Sequence, residues 1–116
     1  MSRRILHLTI KRKYFMEILR GEKLEEYREI KPYWEKRLLN PDGSFKKFDE
    51  VHLRNGYAKD SRYMRFRPGA IFRGTRYFMG SGVLCVFVIP VSDFISANVR
   101  PDIDGLTCCT EALNED

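Results

Sequence analysis

A chain of 116 residues, 43% hydrophobic and 32% charged, has the size of one domain, and one that size buries a core without disulfide or metal staples. No apolar run approaches the ~20 residues that cross a bilayer, and no apolar stretch follows Arg3 and Arg4 as in a secretory signal, so a cytoplasmic protein without membrane contact is expected. The net charge of +5 is unevenly spread. Residues 98–116 hold one cation, Arg100, and five acids, which leaves 20 basic against 11 acidic side chains, or +9, on residues 1–97. A small body that basic attracts polyanions, nucleic acid foremost, although a plain soluble surface can be basic too.

In chain order, Arg4 to Ile10 alternates, with Leu6, Leu8 and Ile10 on one face and Ile5, His7 and Thr9 on the other. That pattern predicts a strand buried on at least one side. His7 is expected as a satisfied core histidine. From Lys11 the period lengthens: Tyr14 with Ile18 and Phe15 with Leu19 lie one helical turn apart, and Gly21 stands where a helix C-cap belongs. Leu24 to Ile30 reads as a second strand with Glu26 and Arg28 on one face and Glu25, Tyr27 and Glu29 on the other. Pro32 suits the first turn of a short helix through Trp34 to Leu38, which Asn40-Pro41-Asp42-Gly43 ends.

Phe48 to Arg54 gives a third strand, closed by Asn55-Gly56. Arg62 to Phe66 and Ile71 to Phe78 follow, broken at Pro68-Gly69. Val83 to Ile89 reads as a buried strand that makes Cys85 an inert core residue. Pro90 marks an edge or break before a last short strand, Val91 to Ile95. After Ala97 the sequence turns acidic and aperiodic, so residues 1–97 are expected as the folded domain and 98–116 as a weakly ordered tail. Six or seven short strands with one or two helices near the N-terminus predict an α+β fold, a small curved sheet or barrel. Cys108 and Cys109 are adjacent in the tail, and with only His7 and His52 beside the cysteines there is no zinc spacing. No metal and no cofactor are expected.

Chemistry-bearing residues concentrate in GEKLEEYREIKPYW, Gly21 to Trp34. Glu26 and Arg28, two apart on a strand, project a carboxylate and a guanidinium into the same space. In a cleft, Arg28 would offer a fork to phosphate or a base edge, Lys23 a mobile cation, and Glu26 an acceptor for an amine or ribose hydroxyl. The same spacing serves an ordinary solvated strand face held by ion pairs, and spacing alone does not choose. Tyr33 and Trp34 are candidates for an aromatic wall or for the core. A second stretch, Arg54 to Tyr77, sets Arg54, Lys59, Arg62, Arg65, Arg67, Arg73 and Arg76 against one acid, Asp60, with aromatics interleaved. Cations with stacking rings suit single-stranded nucleic acid, although strand alternation also yields such a pattern.

Strand, helix and then G-x-K-x-x-E-x-R over Gly21, Lys23, Glu26 and Arg28 resembles the signature of the ASCH domain, a β-barrel group related in fold to the RNA-binding PUA domains. The flanking LHLTIKRKYFMEIL and YREIKPYW fit it, Asn55-Gly56-Tyr57 resembles the turn after the family's third strand, and FVIPVSDFISA its closing strand pair. The resemblance implies a PUA-like barrel of about six strands, and a cleft where RNA or a modified nucleotide meets the motif together with Asn55 and Tyr57. One relative is an amidohydrolase acting on acetylated cytidine. This chain matches its lysine with Lys23 but has Glu26 where that enzyme has threonine, and has no glutamate between Glu50 and Glu111. That departure favours recognition. The alternatives are a hydrolase of RNA or of a modified nucleoside, using Lys23 and Glu26, and a protein-interaction module with a basic face.

Overall fold

Among the described residues, period-2 apolar patterns in strands and 3.6-residue patterns in helices accompany six strands and two helices in the order β1 (Ile5–Thr9), α1 (Arg12–Leu19), β2 (Glu25–Glu29), α2 (Pro32–Leu38), β3 (Glu50–Asn55), β4 (Arg62–Pro68), β5 (Phe72–Phe78) and β6 (Gly82–Ala97). This computed structural model describes residues 3–57 and 61–98. The expected tail, from residue 99 on, lies outside the described residues. Asn98 does not belong with it: its amide hydrogen bonds to the Tyr63 carbonyl, and its side chain bonds Tyr63 and Ser61.

The strands form one curled, half-barrel sheet in the order β1-β3-β4-β6-β2, with β5 also paired to β6. β1 and β3 run parallel and every other pair antiparallel. The concave side holds the core: Leu6 and Leu8, Val51 and Leu53, Met64 and Phe66, Phe87 and Ile89. α1 bridges β1 to β2 over that concavity and buries Phe15, Met16, Ile18 and Leu19 against it, the apolar stripe that its i, i+3, i+4 spacing provides.

Three expectations change. Val83–Ile89 and Val91–Ile95 are not two strands but one 16-residue strand through Pro90. Up to Pro90, β6 pairs with β2 and β5; from Val91 it pairs with β4. A residue without an N–H fits at this hand-over, and the Pro90 carbonyl still accepts from Gly69. Two register shifts against β4 bend the second half, which is how bulges curl a sheet. Cys85 is exposed rather than buried. β2 ends opposite Val86, so Val83 to Cys85 run with β5 alone in a hairpin clear of the core, where Val83 is 68% exposed. His7 is likewise exposed: Leu6 and Leu8 take the concave face of β1, and alternation turns His7 to the convex one.

The half-barrel leaves a seam, because β1 and β2 are its two ends and do not pair. Two guanidiniums bridge it. Arg28 of β2 donates to the Thr9 carbonyl at 3.2 Å, and Arg37 of α2 donates to the His7 carbonyl at 2.9 Å. These are alternate carbonyls on the free edge of β1, which would otherwise need water. Trp34 holds both cations, its ring 5.2 Å from the Arg28 guanidinium and 4.9 Å from that of Arg37, while its inner side packs on the core. Trp34→Ala removes this support and some packing, and should cost about 2–3 kcal/mol in urea unfolding. A loss below about 0.5 kcal/mol, the level of an ordinary surface substitution, would mean the seam is held by something else.

Candidate functional site

The seam opens beside Arg28 into a cleft of about 480 Å³, between the end of β1, α1, β2 and the end of β5. Its position follows from how the chain leaves α1. Gly21 takes φ 77°, a left-handed conformation that glycine adopts without a Cβ penalty. Its amide bonds the Ile18 carbonyl and the Glu22 amide bonds that of Glu17, a Schellman stop. The chain therefore reverses, and Lys23, two residues before β2, lines the cleft. Gly21 does not line the cleft itself; its contribution is this reversal.

Along β2, Glu26 and Arg28 stand opposite Ile89 and Phe87 and so share the concave side with the core. Glu26 is only 5% exposed. A carboxylate that buried requires partners, and it has two: Arg28 contacts Oε2 at 2.5 Å and the Lys23 Nζ lies 3.5 Å from Oε1. Arg28 also donates to the Tyr27 carbonyl at 2.7 Å, so one guanidinium fixes Glu26, its own strand and the edge of β1. The Lys23 Nζ sits 4.3 Å from the Tyr27 ring centre and 5.6 Å from that of Tyr14, within cation–π range.

On the opposite face of β2 a second group braces the rim. Arg76 of β5 donates to both oxygens of Glu25, at 3.1 and 3.0 Å, and the Tyr27 hydroxyl donates to the same carboxylate at 2.8 Å. Tyr27 meets Phe78 edge to face at 5.4 Å. The Arg76 hydrogen bonds hold the Glu25 carboxyl below its ordinary range, against the opposing effect of burial. Burial first, and Glu25 second, push the Tyr27 hydroxyl up. Gly74 leaves room beside this pair: a Cβ there would lie 3.2 Å from Arg76 Nη1 and 3.1 Å from the Phe72 ring, so both side chains would have to shift slightly.

Lys23, Glu26 and Arg28 thus come together as the sequence suggested, and the other candidates separate. Trp34 braces the seam from behind Arg28. Tyr33 packs edge-on against Trp34 and accepts from Arg37, outside the cleft. Asn55 donates to the Ile10 carbonyl at 3.1 Å and so supports a cleft-lining residue from beneath. Tyr57, beyond β3, is 91% exposed and does not line the cleft. The basic stretch is not one surface. Arg76 is taken up by Glu25, Arg73 lies over Phe45 and Phe87, and Arg62 approaches Asn55 Oδ1. Arg54, Arg65 and Arg67 belong to β3 and β4, with Arg67 opposite Asp93; Lys59 lies outside the described residues.

The sequence reading did not name Thr9, Ile10, Lys11, Tyr14, Glu17, Tyr27 and Phe78 as site residues, and took Tyr77 only as one of the aromatics interleaved in the basic stretch; together they complete the lining. For Tyr14 and Glu17 a signal existed: they are one turn apart on a helix whose other positions are mostly apolar. For Tyr77 and Phe78 none did, since only the curl of the sheet brings β5 to β2. Among the described residues no group of three His, Cys, Asp or Glu side chains is placed to hold a metal ion. No family model matches the chain, and no curated protein or solved structure does so either.

The Glu25–Arg76 pair gives the rim a pH signature. A carboxyl depressed in the folded state contributes stability that is present above its unfolded value near 4.5 and lost as pH falls through the lower folded value. Carboxylate NMR should place the Glu25 midpoint below 4.5, and Arg76→Ala should return it towards that value. An unchanged Glu25 midpoint in the variant would show that the pair does not exist in solution.

Proposed function

We propose that the seam cleft is a nucleotide-recognition site, in an ASCH-type, PUA-like barrel that binds RNA or a modified nucleotide. The observation that carries this reading is the composition of one concavity: Lys11, Lys23 and Arg28 beside Tyr14, Tyr27, Tyr77 and Phe78. Cations meet a phosphate and ring faces meet a base, which is how single-stranded nucleic acid is held without a duplex groove. The volume lies inside the range of small-molecule sites. Glu26 sets the geometry of the cations in advance, its two oxygens meeting Arg28 and Lys23, and preorganised polar groups discriminate by the hydrogen bonds they demand.

The same contacts weigh against the hydrolase alternative. A general base needs a carboxylate within reach of a substrate proton, and both oxygens of Glu26 already face cations. The protein-interaction alternative loses ground because the basic stretch is divided: Arg76 is taken up by Glu25 and Arg73 lies over Phe45 and Phe87, which leaves Arg54, Arg65 and Arg67 on β3 and β4.

Fluorescence anisotropy at low salt tests the reading with a labelled ribonucleoside monophosphate and short oligoribonucleotides. The protein should bind both, with affinity that falls as salt rises. Lys23→Ala should weaken binding about tenfold or more, as loss of a charged hydrogen bond does, with little change in thermal midpoint because Arg28 still pairs Glu26. No binding at low salt would defeat the proposal, and turnover of a bound nucleotide would move it to the hydrolase.

A further inference from the structure

Among the described residues no helix layer covers the convex face of β1, β3 and β4, yet it is not a loosely solvated surface. Register brings His7 beside His52 and His52 beside Arg65, while Thr9 adjoins Arg54 and Arg54 adjoins Tyr63. Glu50 lies at the centre, 4% exposed although it sits on the outer side of the sheet. It is covered by its own partners: Arg3, Arg65 at 3.6 Å, and His52 Nε2 at 2.9 Å. Because Glu50 accepts from Nε2, Nδ1 is left to accept from the Tyr63 hydroxyl at 3.1 Å. A buried carboxylate thereby fixes two rings in place, and His7 adds a third, edge to face on His52 at 5.2 Å.

What this layer presents outward is cationic and aromatic. The Arg54 guanidinium lies 4.6 Å from the Tyr63 ring centre. The acid at the centre of the cluster is buried and already met by Arg3, Arg65 and His52, and among the described residues the exposed Arg54 has no carboxylate partner. His7 registers that field: its imidazole is held below its ordinary value, first by loss of water around it and then by the charges of His52, Arg37 and Arg54. The platform also joins the cleft. Thr9 lines the cleft and is the direct neighbour of Arg54 across the β1–β3 ladder.

We infer that the convex face of β1–β3–β4 is a second binding surface, for the neighbouring nucleotides of a single-stranded polynucleotide whose one nucleotide occupies the cleft. This rests on the cleft being a nucleotide site and adds that the ligand is a strand rather than a free nucleotide. Three strands at about 4.8 Å spacing give a platform about 10 Å wide. Across it His7 and Tyr63 offer ring surfaces and Arg54 a phosphate contact, with His52, its side chain 12% exposed, holding the two rings apart from below; cations beside rings are the combination that sequence-tolerant single-strand surfaces use. A duplex cannot lay its stacked bases on these rings.

The test compares a ribonucleoside monophosphate, a single-stranded hexaribonucleotide and a hexaglutamate peptide as ligands of the whole chain, by anisotropy or calorimetry. The hexanucleotide should bind at least tenfold more tightly than the monophosphate, and the peptide should not compete with it. Arg54→Ala combined with His7→Ala, both at exposed positions, should remove that advantage while leaving monophosphate affinity unchanged; Lys23→Ala should weaken both ligands. Equal affinities for monophosphate and hexanucleotide in the unaltered protein would overturn the platform and leave the cleft standing. An unchanged hexanucleotide affinity in the double variant, or equal competition by hexaglutamate, would also overturn it. Absence of binding by either nucleotide ligand would overturn both readings together. Tyr63→Phe separates stacking from the hydroxyl network: it keeps the ring, so the hexanucleotide advantage should persist.

Discussion

Arg28 is the interaction on which the rest of the arrangement depends. An open sheet with unpaired ends exposes edge carbonyls and invites pairing with other chains. Here the end strands β1 and β2 are joined not by a ladder but by a guanidinium, which bonds the Thr9 carbonyl, the Tyr27 carbonyl and the Glu26 carboxylate together. Its five donors in a planar fork suit this task, and a lysine in its place would supply one point charge instead. A seam held by a side chain rather than a ladder remains open beside that side chain. The cleft is that opening.

Structure and electrostatics are coupled at this point. The carboxylate of Glu26 sits among core residues, where an unpaired charge is expensive, and both of its cations line the cleft. The structural requirement to neutralise Glu26 therefore fixes where Lys23 and Arg28 point. Glu25, one residue earlier and on the opposite face, is paired with Arg76 in the same way and ties the aromatic wall of Tyr27 and Phe78 to the rim. Adjacent carboxylates on one strand thus brace the two sides of one site. Glu50 repeats the pattern on the convex face, where a buried acid orders the rings and cations around it.

Much of this was legible in the sequence because it depends on period. Leu6 and Leu8, Val51 and Leu53 declared their strands, Phe15 and Leu19 their helix, and Gly21 its end; the pairing of Glu26 with Arg28 on one strand face followed from alternation. What could not be read depended on partners distant in the chain. Pro90 looked like a break because proline lacks a donor, but a strand that changes neighbours there has no use for one. Cys85 looked buried because its neighbours are apolar, whereas the extent of β2, which sequence does not reveal, leaves it in a projecting hairpin. His7 lay on the correct strand, but nothing local indicates that the convex face stays uncovered. Arg73 and Arg76 joined the basic stretch by position, and the sheet then directed them to separate partners.

We propose the seam beside Arg28 as the place where a nucleotide binds. Backbone amide chemical shifts followed during titration with a ribonucleoside monophosphate test it most directly. Shifts should concentrate at Thr9, Lys11, Tyr14, Lys23, Tyr27 and Arg28 and saturate with one affinity. Perturbations confined to the Phe45–Phe48 and Pro68–Ile71 segments, or spread evenly without saturation, would contradict the account.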